Sequence, residues 1–279
     1  MTQPNELVSI IISFYNKIDL LKYILAALDR QTYTNFEVVI ADDGSKPEVV
    51  DEINRLKDTF SFPIHHVWHE DKGWQKNIIL NKAIVKSQAE YLIFIDGDCI
   101  PHRLFVQEHL EQRAANRVIS GRRVMLTENI SKSLSIMRIQ NGYLEKSVIL
   151  PLLIETLFCA KPTAFENAIR IRSSFIRQLF VKEKTRGFWG CNFSLWRADI
   201  LAVNGFDERF VYPGTGEDAD LEDRLKRIGV MPVSKKHLVT VYHVFHVPFD
   251  TKYEPNIQLR AENNRNNVTF TPYGIVKSC

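Results

Sequence analysis

A chain of 279 residues that is 45% hydrophobic and 25% charged can bury one large core or two small ones, and its composition is that of an ordinary globular protein. The net charge of +3 is far from the concentrated basic surface that a nucleic-acid partner requires. The four cysteines, Cys99, Cys159, Cys191 and Cys279, match no zinc or redox spacing. The first residues carry no signal-peptide pattern, and no apolar run approaches the roughly 20 residues that span a bilayer. The chain therefore reads as a cytoplasmic protein with free thiols.

Val8 to Phe14 (VSIIISF) is a β-branched run, expected as a strand buried on both faces. Asp19 to Asp29 places Leu20, Ile24 and Leu28 on one helical stripe. Phe36 to Ala41 is a second buried strand, ended by Asp42-Asp43-Gly44-Ser45, with Pro47 at the start of the next helix. Ile64 to Trp68 reads as a third strand, Asn77 to Lys86 as a helix, and Tyr91 to Ile95 as a fourth strand running into Asp96-Gly97-Asp98. This alternation predicts βαβ units, an α/β fold and a mostly parallel sheet.

The segment from about 129 to 186 reads mainly as helix and is locally basic at Arg170, Arg172, Arg177, Lys182, Lys184 and Arg186. Gly187 to Trp196 reads as a loop entering a strand, Glu217 to Ile228 as an amphipathic helix, and His237 to Val247 as a last strand. Residues from Phe249 onward are polar and asparagine-containing, and read as a tail.

In parallel α/β sheets, binding sites lie beyond the carboxyl ends of the strands. The segments Ser13 to Asn16, Asp42-Asp43 and Asp96-Gly97-Asp98 all fall there and should line one crevice. Hard divalent cations take oxygen ligands, commonly one or two carboxylates plus substrate phosphates. A D-x-D triplet is also a common solvated turn, and its position after a buried strand is what favours a ligand role. Asp42 and Asp43 either cap a helix or bind a ligand. Glu217-Asp218, after Pro213-Gly214-Thr215-Gly216, either complements a helix dipole or supplies a general base under a closing loop. His243 and His246 would point to opposite faces of a strand, so they share a metal only if the strand ends between them. The basic stretch is either a solvated face or a patch for an anionic membrane surface.

Together these pieces resemble the family 2 glycosyltransferases of GT-A fold. The matching segments are SIIISFYN, EVVIADDGS, EDKGWQKNIILNKAI and FIDGDCIP. GFWGCNFSLWR, GFDERF, GTGEDADLEDRL and VYHVFHVP look like the acceptor half of the chondroitin-polymerase and β4-galactosyltransferase type. The resemblance implies a GT-A domain over 1–248, with a nucleotide-binding half (7–122), a helical insert (129–186), an acceptor half (187–248) and a tail (249–279).

It implies an inverting, Mn2+- or Mg2+-dependent transfer from a nucleotide-sugar, UDP-linked by expectation, to a glycan or lipid-linked glycan. The setting would be surface polysaccharide synthesis at the inner face of the membrane. Ser13, Tyr15, Asp42, Asp43, Gln75, Lys76 and Asp96 would hold the nucleotide, and Asp43 would read a uracil edge. Asp98, with Asp96 and a histidine (His243 first, His246 in reserve), would bind the metal. Trp189, Gly190 and Asn192 would border sugar and acceptor. Asp218 would be the base, with Glu217 beside it. Two positions depart from the family pattern. Leu80-Asn81 replaces Arg-Asn, leaving Lys76 as the nearby cation, and Gly214-Thr215-Gly216-Glu217-Asp218 replaces Trp-Gly-Gly-Glu-Asp. A sugar nucleotidyltransferase, expected to carry a glycine-rich phosphate loop, and a non-catalytic glycan-binding protein are the competing classes.

Overall fold

Strands β1 (Val8–Phe14), β2 (Phe36–Asp42), β3 (Ile64–Trp68) and β4 (Tyr91–Asp96) run parallel, linked by helices α1 (Ile18–Leu28), α2 (Pro47–Leu56) and α3 (Lys76–Lys86). The computed structural model describes residues 6–159, 163–171, 173, 187–214, 216–247 and 254–277. The chain then adds β5 (Cys99–Pro101), α4 (Phe105–Gln112), β6 (Arg117–Ser120) and β7 (Arg123–Met125). Short helices α5 (Glu128–Lys132), α6 (Ile136–Gln140), α7 (Tyr143–Lys146) and α8 (Ile149–Cys159) follow. The second half contains β8 (Asn192–Trp196), α9 (Arg197–Ala202), α10 (Glu217–Arg227), β9 (Met231–Ser234), β10 (Val241–His243) and α11 (Glu254–Arg265).

The main sheet has the order β3-β2-β1-β4-β8-β6-β9. Strand residues alternate between its two faces, as a period of two requires. Ile10, Ile12, Val38, Ile40, Ile93 and Ile95 pack with α1 and the α5–α8 segment, whereas Ile11, Val39, Leu92 and Phe94 pack with α3, α9 and α10. Ile10, Ile11 and Ile12 are fully buried, each contributing about 1.5–3 kcal/mol. This two-sided cover makes the strands uniformly apolar and leaves chemistry to their ends.

Order reverses at β1, which pairs with β2 on one side and β4 on the other, so the crevice forms between the ends of β1 and β4. Antiparallel β8 pairs Asn192 with Ile95, and Asp96 N donates to Cys191 O, bringing the second half of the chain to the acidic triplet. A small sheet, β5-β10-β7, sets His243 opposite Cys99.

Several elements differ from the sequence reading. The expected strand over 237–247 is only β10, because His237 and Val239 have positive φ (70° and 46°), which breaks an extended run. The asparagine-rich segment expected as a tail contains α11, which packs on α10. Arg170 was expected on an exposed basic face. It instead ion-pairs with Glu108, which is buried in α4. Arg172, Arg177, Lys182, Lys184 and Arg186, together with Thr215 and Cys279, lie outside the described residues. Cys99 and Cys191 are free and buried. Among the described residues, no helix is long and apolar enough to cross a membrane.

Candidate active site

A cleft of about 390 Å³ opens at the ends of β1, β2 and β4, lined by Ser13, Tyr15, Lys17, Asp43, Asp71, Gly73, Trp74, Lys76, Asp96, Gly97, Asp98 and Pro213, among others. Asp96 Oδ1 accepts from Ser13 Oγ at 2.8 Å and from Lys76 Nζ at 2.9 Å. Gly97 is required by close approach, since a β-carbon there would lie 2.7 Å from the Ser13 carbonyl oxygen. Its backbone is not left-handed, so the glycine answers contact with β1 and not the turn conformation.

Asp43 Oδ1 bonds His69 Nε2 at 2.7 Å, and Oδ2 accepts the Gln75 amide at 2.9 Å. Burial raises its pKa despite these two partners. Gln75 thus contributes its backbone to Asp43. Tyr15, half exposed, donates to Asp71 Oδ2 at 2.9 Å across the cleft mouth. Asp42 does not reach the cleft. It is fully buried, with Oδ1 held by the Ser45 amide and hydroxyl and Oδ2 by His66 at 2.8 Å. Its role is to cap the turn after β2.

Asp98, His243 and His246 come together at the cleft edge. His243 Nε2 lies 3.4 Å and His246 Nε2 3.2 Å from Asp98 Oδ2, and one donor atom from each residue falls within 4.8 Å of the others. The strand ends at His243, and Val244 N donates to Asp98 O at 2.9 Å. The chain then turns, and both imidazoles reach the same carboxylate. Burial opposes the charge on Asp98, yet the two histidines hold its pKa well below the usual carboxylate range. The same contact raises the pKa of His246. His243 Nδ1 is buried without a hydrogen-bond partner. One carboxylate and two imidazoles form a donor set suited to a divalent cation.

Glu217 and Asp218 open α10, where the positive end of the helix dipole favours acidic groups. Asp218 Oδ2 accepts the Gly190 amide at 2.8 Å. Removal from water raises the pKa of Asp218, and Asp96 adds to the effect, while Lys76 and Gly190 oppose it. Glu217 is pushed up to about 8 by burial and by Asp218, and its Oε2 is buried without a partner. Burial alone would discharge Lys76, but Asp96, Asp218 and Glu217 surround it and raise its pKa. One ammonium therefore sits among three carboxylates contributed by both halves of the chain.

Asn192 was expected beside the sugar. It is fully buried in β8 instead, where Nδ2 donates to Val239 O at 2.6 Å and Oδ1 faces His109 Nε2 at 3.1 Å. Trp189 keeps an exposed indole near Arg122 and Arg123. Lys17, Asp71 and His69 were not singled out from sequence. Lys17 directly follows the SIIISFYN segment and Asp71 lies inside EDKGWQKNIILNKAI, and position was their only signal.

The glycosyl transferase family 2 profile matches residues 9–199, well over half the chain. The chain belongs to glycosyl transferase family 2. A second profile, the N-terminal domain of galactosyltransferase, matches residues 170–247 of this family 2 chain. A chondroitin synthase of Escherichia coli is 26% identical over 230 residues, covering 79% of this chain and 32% of the relative. A UDP-Glc:alpha-D-GlcNAc-diphosphoundecaprenol beta-1,3-glucosyltransferase of Escherichia coli is 34% identical over 93 residues, 33% of this chain and 36% of the relative. The chain thus spans about a third of each of these relatives. A mannosyltransferase from Pyrobaculum calidifontis, solved with GDP-Man and Mn2+, superposes with a TM-score of 0.58 at 15% identity, covering 95% of this chain and 66% of that one. That likeness shows the GT-A fold. In this family 2 member, Leu80 is core and Asn81 is structural, bonding the Phe206 backbone at 2.9 and 2.8 Å. Lys76 lines the cleft, as does Lys17.

Proposed function

We propose that the chain transfers a sugar from a nucleoside diphosphate sugar, with UDP as the nucleotide, to a hydroxyl of a glycan or lipid-linked glycan, inverting the anomeric centre. The observation that carries this reading is that Lys76, Asp96 and Asp98 line one cleft, with His243 and His246 gathered on Asp98 and with Asp218 sharing a small pocket with Lys76 and Asp96. The named donor and acceptor of the glucosyltransferase relative support a UDP-sugar and a lipid-linked diphosphate acceptor.

Asp98, His243 and His246 would hold Mn2+, which two imidazoles suit better than Mg2+, a cation that prefers oxygen. Once bound, the metal neutralises diphosphate charge and stabilises the leaving group. Tyr15 offers a face for the base, while Asp43, braced by His69 and the Gln75 amide, offers a carboxylate for a base edge. Ser13 and Lys76 orient Asp96 toward the ribose. Asp218 removes the proton of the acceptor hydroxyl, whose oxygen attacks the anomeric carbon while the nucleoside diphosphate leaves. Its raised pKa strengthens it as a base. Peripheral attachment to a membrane would have to use surfaces other than Arg170, which is engaged with Glu108.

Asp218→Asn should retain UDP binding and lose transfer. Wild-type transfer by that variant would remove Asp218 from the mechanism.

A further inference from the structure

We infer that Asn256 is a positioning residue for the proposed transfer: from α11 it holds the chain at Tyr212 and at Gly216, and so sets Pro213 on the cleft wall and Glu217-Asp218 at the start of α10. The inference rests on the reading of Asp218 as the base.

The buried residues of α11 are Asn256 and Asn263. Seven positions apart, about two helical turns, they share one face. Asn263 bonds Asp220 in the body of α10 at 2.7 Å. Asn256 reaches the segment ahead of that helix, where its Nδ2 donates to the Tyr212 carbonyl at 2.9 Å. A β-carbon on Gly216 would lie 2.8 Å from Asn256 Cβ and 3.3 Å from the Phe210 ring. Gly216 also has a φ of 134°, which only glycine adopts readily. Glycine at 216 therefore answers both its own backbone and the approach of Asn256.

The two held points flank the site. Pro213, which directly follows Tyr212, lines the cleft with Lys76, Asp96 and Asp98. Gly216 directly precedes Glu217, and its carbonyl accepts the Asp220 amide at 2.8 Å in the first turn of α10. Asp218 shares a small pocket with Lys76, Asp96 and Gly190. Glycine loses more conformational freedom on folding than any other residue, so a stretch holding Gly214 and Gly216 has little local preference for one path and gains from an outside anchor. Docking α11 does not depend on this bond, because Arg260 and Asn264 bond Asp223 of α10 at 2.8 and 2.9 Å. The Asn256 amide thus serves the approach to the base.

The test combines UDP titration with the rate of acceptor-free UDP release from the preferred UDP-sugar in Mn2+, measured well below each melting transition. Asn256→Ala and the isosteric Asn256→Asp, which removes the donor without opening a cavity, should bind UDP within about 2-fold of wild type. Their kcat should fall at least about 10-fold, as displacement of a reacting group requires. Arg260→Gln, which loosens α11 elsewhere, should lower the melting temperature and leave kcat unchanged, a split that a merely structural role for α11 would not produce. Asn256→Asp carries the test should Asn256→Ala fail to fold. Wild-type kcat in the Asn256 variants, or an equal loss in Arg260→Gln, overturns the inference. A wild-type protein that neither binds UDP nor releases it would instead sink the glycosyltransfer reading on which the inference rests.

Discussion

The Asp218 carboxylate rests on Gly190: its Oδ2 accepts the Gly190 amide at 2.8 Å, and a β-carbon on residue 190 would lie 2.2 Å from both carboxylate oxygens. The glycine is therefore a seat for the Asp218 carboxylate, the base proposed above. Gly190→Ala must push the carboxylate aside, and a displacement of about 1 Å can cost roughly 100-fold in rate. We expect turnover to fall by about that factor while UDP affinity holds. Steady-state kinetics beside UDP titration will check it, and an unchanged kcat would show that Asp218 has room to move.

The convergence of His243 and His246 on Asp98 makes a separate claim. Loss of mere supporting groups around a metal costs about 10–100-fold in affinity, so His243→Ala and His246→Ala should each weaken Mn2+ binding at least that much. Affinity should also fall with acidification, because an imidazole must be neutral to ligate and Asp98 raises the pKa of His246. Mn2+ titrations at several pH values distinguish two ligands from one, since a silent variant would leave that histidine outside the shell.

Glu217 sets a pH dependence of stability. Burial, then Asp218, raise its folded pKa to about 8 from an ordinary 4.5. A raised carboxyl favours the folded state below pH 4.5, and that contribution is lost as pH rises through about 8. The melting temperature of metal-free protein should fall between about pH 5 and pH 8.5, with Glu217→Gln flattening the slope. Parallel slopes for the two proteins would contradict this.

How far the sequence carried can be judged from particular segments. The β-branched runs at 8–14 and 36–41 were legible because both faces of those strands are buried, leaving an unbroken apolar signal. The first three motif segments follow from that, as strand ends must meet at the switch of strand order. Asp42 and Asp43 were not separable, since adjacent residues on one turn point opposite ways and only the fold says which way the cleft lies. Asn192 looked like a sugar ligand but bonds Val239 and His109. β5 and β7 have three residues each, too few to show a period. Helix α11 escaped notice because it buries amides in place of an apolar stripe.

That helix yields a further prediction. Asn263 Nδ2 donates to Asp220 at 2.7 Å and to Asp207 at 3.3 Å, its Oδ1 accepts from Arg209 at 2.7 Å, and Arg260 pairs with Asp223 at 2.8 Å. Two of these partners lie on α10, which carries Glu217 and Asp218. Asn263→Ala should destabilise the protein by about 1–3 kcal/mol by leaving buried groups unpaired. Urea denaturation will measure it, and a change within about 0.5 kcal/mol, typical of surface sites, would mark α11 as an appendage.

The central claim is a metal-assisted donor site built on Asp98. It is tested most directly by incubating the protein with a panel of UDP-sugars and Mn2+, without acceptor, and following UDP release. Slow release from a preferred UDP-sugar, abolished by chelation and by Asp98→Ala, is the expected result. No release from any donor, or release that persists in Asp98→Ala, would contradict it.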